Sequence, residues 1–264
     1  MSGSGREGES EPVRVAVTGA AGRMGRELLD VAAGRDDVEV VLAVNRTPVD
    51  SVAGVDVRSA DDLSGHLGET EPDVLVDFTG PESSVDYVAA CAEMGVAVVV
   101  GTTGFDEDGR AALDAAAESV PLLHATNFSR GIAALRRAVG EAVAALPDYD
   151  IEVTETHHNG KRDAPSGTAN TLLDDIDDAR GDAERVYGRE GDQPRTEGEI
   201  GVHARRAGGV TGEHEVLLAD DHQTLSLTHR AGSRGVFAAG ALDAAVWLSG
   251  RDAGGYDFEE VLDA

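Results

Sequence analysis

Lysine is almost missing from this chain: of 22 lysine and arginine residues in 264, Lys161 is the one lysine. Cysteine is equally scarce. Cys91 stands alone, which excludes an internal disulfide framework and fits a reducing compartment. It lies in the Ala-rich helical stretch 87–92 and reads as a small core residue. No apolar run approaches the roughly 20 residues that span a bilayer, and the N-terminus lacks a basic-then-apolar leader. A soluble cytoplasmic protein is expected. Positive charge of any kind is outnumbered, with 50 Asp and Glu giving a formal net charge of −28. Such a surface repels phosphate backbones and anionic lipids, so neither nucleic acid nor membrane is an expected partner. High acidity with little lysine and many small residues suits the cytoplasm of a salt-accumulating organism, where dense salt screens self-repulsion. The 41% of hydrophobic residues fall in regular blocks, which excludes a disordered acidic chain.

What is present points to two domains. Residues 1–12, rich in Gly, Ser and Glu, read as a disordered arm. Short apolar runs at 13–17, 38–44, 73–78, 96–100 and 122–125 alternate with helical stretches, the pattern of a parallel sheet covered by helices. The expected class is α/β, with a Rossmann-type doubly wound parallel sheet formed by residues 13–130 and 236–264 for dinucleotide binding. Residues 131–235 form the expected second domain, α+β, for substrate binding and oligomerisation. Its segments at 200–206, 214–219 and 223–229 alternate as antiparallel strands of an open, mainly antiparallel sheet.

Directly after the first strand comes Gly19-Ala20-Ala21-Gly22-Arg23-Met24-Gly25, opening a helix. Glycines at these spacings permit a tight turn, close approach of backbone to a pyrophosphate, and close helix-to-strand packing, while the helix start supplies N–H donors. A residue reading the adenosine ribose belongs about 20 positions later, at the end of the second strand. Asn45 and Arg46 stand there. Asn45 lacks the charge that would repel a 2′-phosphate and Arg46 can pair with one, so NADPH is the preferred cofactor and NADH a possible one.

The densest ionisable run is Glu155-Thr156-His157-His158-Asn159-Gly160-Lys161-Arg162-Asp163-Ala164-Pro165-Ser166-Gly167-Thr168. Adjacent histidines invite a metal, but neighbours on a strand point apart and no second thiol exists, so no metal is expected. Acid-base chemistry fits better, because an imidazole titrates near neutrality and Lys161 follows close behind. Ser166-Gly167-Thr168 then opens a helix whose amides suit a carboxylate, and Ser166 can cap it.

Continued to Ala169, this run resembles the signature of the 4-hydroxy-tetrahydrodipicolinate (dihydrodipicolinate) reductase family. The loop from Gly19 to Gly25, Asp77-Phe78-Thr79, Gly101-Thr102-Thr103-Gly104-Phe105, Asn127-Phe128-Ser129, Arg206-Ala207-Gly208, Gly212-Glu213-His214 and Ala245-Val246-Trp247-Leu248 resemble the same family. The resemblance implies His157 as proton donor, Lys161 as its catalytic partner, and His158, Gly167 and Thr168 as holders of substrate carboxylates. It implies a cofactor lined by residues 19–24, by Arg46, by Gly101, Thr102 and Thr103, and by Ala125, Thr126, Asn127 and Phe128. It further implies a small dicarboxylate substrate with a ring C=N, NAD(P)H-dependent reduction with loss of water in diaminopimelate and lysine biosynthesis, and a homotetramer. Two rivals make other demands. Another Rossmann reductase, such as an aspartate dehydrogenase, needs no run from His157 to Thr168, and a non-catalytic NADPH sensor gives the one lysine no role.

Overall fold

The structure is a computed structural model that describes residues 11–263. Residues 1–10 of the expected arm lie outside the described residues. The backbone divides into two compact units, one built from residues up to Phe128 with those from Phe237 onward, the other from Ser129–Val236.

The first unit opens with β1 (Val13–Thr18), α1 (Arg23–Ala32) and β2 (Val38–Asn45). Two-residue strands β3 (Ser51–Val52), β4 (Val55–Asp56) and β5 (Arg58–Ser59) follow, then α2 (Leu63–Thr70). The strand-helix alternation resumes with β6 (Val74–Asp77), α3 (Pro81–Met94), β7 (Ala97–Val100), α4 (Glu107–Ala117) and β8 (Pro121–His124). In the second unit the chain forms α5 (Arg130–Ala145), β9 (Asp150–His157), α6 (Gly167–Arg180), β10 (Arg185–Tyr187), β11 (Ile200–Arg206), β12 (Gly212–Ala219) and β13 (Thr224–Ala231). It ends with α7 (Gly235–Leu248), most of which belongs to the first unit, and β14 (Gly254–Tyr256).

Seven strands of the first unit form one parallel sheet in the order β14-β8-β7-β6-β1-β2-β5. Every residue of β6 and β7 is buried, which is why these strands read as unbroken apolar runs instead of alternating. From β1 the order runs outward to β2 on one side and to β6 on the other. That reversal opens a crevice at the carboxyl ends of β1, β2 and β6, where ligands of such sheets bind. Cys91 sits in this core with no exposure, its thiol pushed up first by burial and then by the charge of Asp77, so it is a packing residue.

The second unit holds a five-stranded sheet in the order β10-β11-β9-β12-β13. One face is covered by α5 and α6 through Ile132, Val139, Leu172 and Ile176 against Ile151, Val153, Val216 and Leu218. Alternate residues of β12 are buried, matching its predicted period of two. The ladders β9–β12 and β12–β13 are antiparallel as expected. The segment 200–206 differs: β11 runs parallel to β9. The chain leaves β9 through α6 to β10, and β10 too pairs parallel with β11, so long connections in place of hairpins make this half of the sheet parallel.

Candidate active site

At the end of β1 the chain turns through Gly19, at φ +62°, and starts α1 at Gly22, which offers no side-chain cap. The first-turn amides of α1, beginning with Arg23 and Met24, are therefore left for an outside acceptor. A Cβ on Gly25 would come within 2.2 Å of the Gly19 carbonyl oxygen, so helix and loop pack closer than any other residue permits. Ala20 is buried and its amide is taken by the Val44 carbonyl, so its part is to shape the loop. Asn45 pins the same loop: its Oδ1 accepts from the Ala21 amide at 3.3 Å and its Nδ2 donates to the Thr47 carbonyl at 2.8 Å. A cavity of about 260 Å³ opens here, lined by Gly19, Gly22, Asn45, Arg46, Phe78, Thr79, Gly80 and Tyr87 among others. Arg46 is exposed and also lines a neighbouring 430 Å³ cavity.

Beneath these loops lies Asp77, fully buried at the last position of β6. Its Oδ1 accepts from Thr18 at 2.5 Å and Thr79 at 2.7 Å, and its Oδ2 accepts from Thr102 at 2.8 Å and from Ser84. One carboxylate thus binds the ends of β1, β6 and β7 and the first turn of α3. Gly101 is pressed against Phe78, whose ring a Cβ would meet at 2.1 Å. Thr103 and Thr126 are exposed beyond β7 and β8, with Ala125 and Asn127 half-buried. Phe128 departs from its expected place. Its side chain is 1% exposed and packs against Phe78 and Phe258 at ring separations of 5.4 and 5.2 Å, so only its backbone is left to meet a nucleotide.

The signature run is built on the end of β9 and the start of α6, within the second unit. Glu155 and His157 are two apart on a strand and so share a face. His157 Nδ1 lies 2.6 Å from Glu155 Oε2. Glu155 is 1% exposed and also receives both terminal nitrogens of Arg206, at 2.8 and 2.7 Å, and the Ser166 amide at 3.2 Å. Arg206 reaches on to the Asp163 carbonyl, and Lys161 pairs with the Asp163 carboxylate at 2.9 Å. The backbone follows the same fold, with His157 carbonyl bonded to the Ala207 amide and His158 carbonyl to the Lys161 amide. Ser166 is buried; its hydroxyl caps α6 at the Ala169 amide, 3.2 Å away, and shares a 3.0 Å hydrogen bond with His214 Nε2. Its hydroxyl is committed to the protein, whereas Gly167 is exposed with open space where a Cβ would point and Thr168 is half-buried.

Electrostatics follow the burial. Desolvation drives the Glu155 carboxyl upward, but the Arg206 and His157 hydrogen bonds outweigh it and hold it below the usual range, so it is ionised. Burial lowers the His157 imidazole despite the opposing pull of Glu155, and the cations Lys161 and Arg206 add to the lowering. His214, packed edge-on to His157 at 5.2 Å, is pushed down to about 4 by burial and then by His157. In a protein of net charge −28, one strand end has gathered an imidazole, the single ammonium, a guanidinium and a helix N-terminus.

Known proteins agree with this pattern. Residues 13–128 match the family model for the dihydrodipicolinate reductase N-terminus, and residues 131–262 match that for its C-terminus. The chain belongs to the dihydrodipicolinate reductase family. A 4-hydroxy-tetrahydrodipicolinate reductase of Haloarcula marismortui is 55% identical over 95% of this chain and 99% of its own length. The same enzyme of Natronomonas pharaonis is 53% identical over 95% of this chain and all of its own. Among solved structures, a dipicolinate-bound dihydrodipicolinate reductase from Paenisporosarcina sp. TG-14 superposes with a TM-score of 0.78 at 24% identity, covering 94% of this chain and 99% of that one, a likeness of fold. Membership makes the chain an NAD(P)H-dependent oxidoreductase of diaminopimelate and lysine biosynthesis.

Glu155, Arg206 and His214 in the second unit and Asp77 in the first carry the polar networks of their own units, yet sequence reasoning gave none of them a site role. For Glu155 a signal exists, since position i−2 on a strand faces the same side as His157. The others depend on strand register, which no local pattern encodes.

Proposed function

We propose that this chain reduces 4-hydroxy-tetrahydrodipicolinate with loss of water, His157 delivering a proton while Lys161 pairs with a substrate carboxylate. The observation that carries this reading is the meeting of His157, Lys161 and the α6 start at one strand end. Gly167, Thr168 and His158 hold carboxylates there, and Ser166 acts by capping the helix that presents them. A nicotinamide dinucleotide fits the first unit, because the uncapped α1 start and the Gly25 contact form a cradle that a Cβ would fill. When bound, it supplies a hydride to the ring. Negative charge then builds on the substrate, and His157 answers it with a proton.

Arg46 gives NADPH preference over NADH by pairing with the 2′-phosphate, helped by an Asn45 that carries no charge to repel it. Residues 131–235 serve substrate binding and assembly, and 13–130 with 236–264 serve the nucleotide. Family resemblance implies a homotetramer, and the open sheet of residues 200–229, which needs cover, is the surface that builds it. The one thiol, buried, suits a cytoplasmic setting.

The test is nucleotide oxidation in high salt, with substrate generated in situ by the preceding synthase from pyruvate and aspartate semialdehyde. His157→Gln and Lys161→Ala each lower kcat about 10²–10⁴-fold while nucleotide affinity holds. Near wild-type kcat in either variant removes that residue from the chemistry. Nucleotide binding by folded wild-type protein without turnover turns the reading toward a sensor.

A further inference from the structure

Each face of His157 is met by a different element. Glu155 of β9 stands at its Nδ1, Arg206 of β11 lies behind Glu155, Lys161 and its partner Asp163 lie in the following loop, and His214 of β12 packs edge-on to the ring. At the other nitrogen stands Gly212, the first residue of β12. A Cβ there would lie 3.2 Å from His157 Nε2. Gly212 has no positive φ to explain it; what its missing side chain provides is room at Nε2.

We propose that Glu155, clamped by Arg206, and the bare Gly212 act together as positioning residues that fix the proton of neutral His157 on Nδ1 and leave Nε2 as the atom that exchanges a proton with substrate. This inference rests on the reading of His157 as proton donor. An ionised carboxylate accepts and does not donate, so the nitrogen 2.6 Å from Glu155 must carry hydrogen. Arg206 takes one bond on each Glu155 oxygen, and such a fork locks the carboxylate plane and with it the ring. Because Arg206 also holds the Asp163 carbonyl, the same clamp places the loop that carries Lys161. The proton balance is simple: Nε2 gains a proton from solvent as substrate enters, passes it to the reduced ring, and returns neutral with Nδ1–H unchanged.

A glutamine at 155 cannot serve all of these neighbours. With its oxygen in the place of Oε2 it accepts from His157 and one Arg206 nitrogen, but its NH₂ then points at the other Arg206 nitrogen and the Ser166 amide, a donor at donors. Glu155→Gln therefore lowers kcat about 10²-fold or more, with nucleotide and dipicolinate binding retained. The pH profile moves with it: without the carboxylate the imidazolium is less favoured, so the limb of kcat assigned to His157 shifts to lower pH. Gly212→Ala crowds Nε2 and lowers kcat at least about tenfold with no change in that limb, because the carboxylate remains.

The deciding measurement is the tautomer of His157 in the wild-type protein, read from ring-nitrogen NMR shifts of histidine-labelled chain, with His157→Gln assigning the signal. Protonated Nδ1 with bare Nε2 in the neutral form is expected. Protonated Nε2 overturns the inference, as does a Glu155→Gln variant with wild-type kcat and an unmoved limb. If Glu155→Gln does not fold, the wild-type tautomer and Gly212→Ala still decide. A His157→Gln variant that keeps wild-type kcat removes the underlying reading, whereas a crippled His157→Gln beside an unaffected Glu155→Gln removes the positioning role alone.

Discussion

Two buried carboxylates, one in each unit, solve the same problem by opposite means. Asp77 ends β6 and is held by the hydroxyls of Thr18, Thr79, Ser84 and Thr102. Glu155, near the end of β9, is held by a guanidinium fork and an imidazole. Hydroxyls satisfy a carboxylate without adding charge, so Asp77 ties four segments into a frame while its own charge stays uncompensated and is felt at Cys91 and Tyr87. A guanidinium satisfies Glu155, and the imidazole beside it couples it to a group that titrates. The first arrangement is a scaffold and the second an acid-base device, and their difference shows why burial alone does not identify chemistry.

The sharpest way to break the comparison is to remove the cation. Arg206→Ala strands Glu155 with His157 and one amide, and losing one partner of a buried pair typically costs about 3–5 kcal/mol. Denaturant unfolding at fixed salt measures this, and a loss near zero would mean that water satisfies Glu155. The pH dependence of stability comes next. His214 falls to about 4 in the fold from an ordinary 6.5. Between those values the unfolded chain binds more protons than the folded one, so stability rises with pH through that window, is complete above 6.5, and is lost as pH falls toward 4. At roughly 1.4 kcal/mol per unit this is worth about 3 kcal/mol. With many carboxylates titrating nearby, the test is the difference between wild type and His214→Gln across that range. Parallel curves would show that His214 takes up its proton without unfolding.

On the nucleotide side the expected effect is smaller. Arg46→Ala lowers the NADPH to NADH ratio of kcat/KM about tenfold, equivalent to about 1.4 kcal/mol of selective binding. An equal fall for both nucleotides would instead place Arg46 on the adenine. Asn45→Asp sharpens the point, because a carboxylate cannot donate to the Thr47 carbonyl as Asn45 does at 2.8 Å. It keeps an acceptor for the Ala21 amide but frees the loop that carries Arg46 and Thr47 and adds a charge, so NADPH weakens more than NADH.

Legibility in the sequence tracked locality. The strand-helix pattern, the glycine loop after β1 and the ionisable run after β9 are each set by neighbouring residues, so period and spacing reveal them. The two-residue strands β3, β4 and β5 carry no period and left no trace. The direction of β11 depended on long connections from β9 through α6 and β10, a matter of topology. Phe128 looked like a loop residue beside a site, but Phe78 and Phe258, distant in sequence, draw its ring into the core. Glu155 could have been read from its place two before His157, whereas Arg206 meets His157 only through the β9–β11 register. Asp77 was visible as a polar end to an apolar strand with Thr79 and Ser84 close behind it, but Thr18 and Thr102 reach it only through the parallel sheet.

That cage gives the mildest prediction and the cleanest contrast. Thr102→Val keeps the shape of a side chain that is 5% exposed and removes one neutral donor, 2.8 Å from Asp77 Oδ2. Ser84 still donates to that oxygen, so the carboxylate is not stranded, and the cost is about 1 kcal/mol, the ordinary net worth of one hydrogen bond. Thr102 also fixes the loop after β7 through its carbonyl, 3.1 Å from His124 Nε2, a bond that the substitution leaves in place. Thermal unfolding with and without nucleotide separates the two roles that the cage could play. A loss that is the same in both states marks Asp77 as pure scaffold. A larger loss with nucleotide present means that the hydroxyl frame also holds the loop in its binding geometry, which makes the neutral carboxylate cage a contributor to affinity as the charged one is to rate.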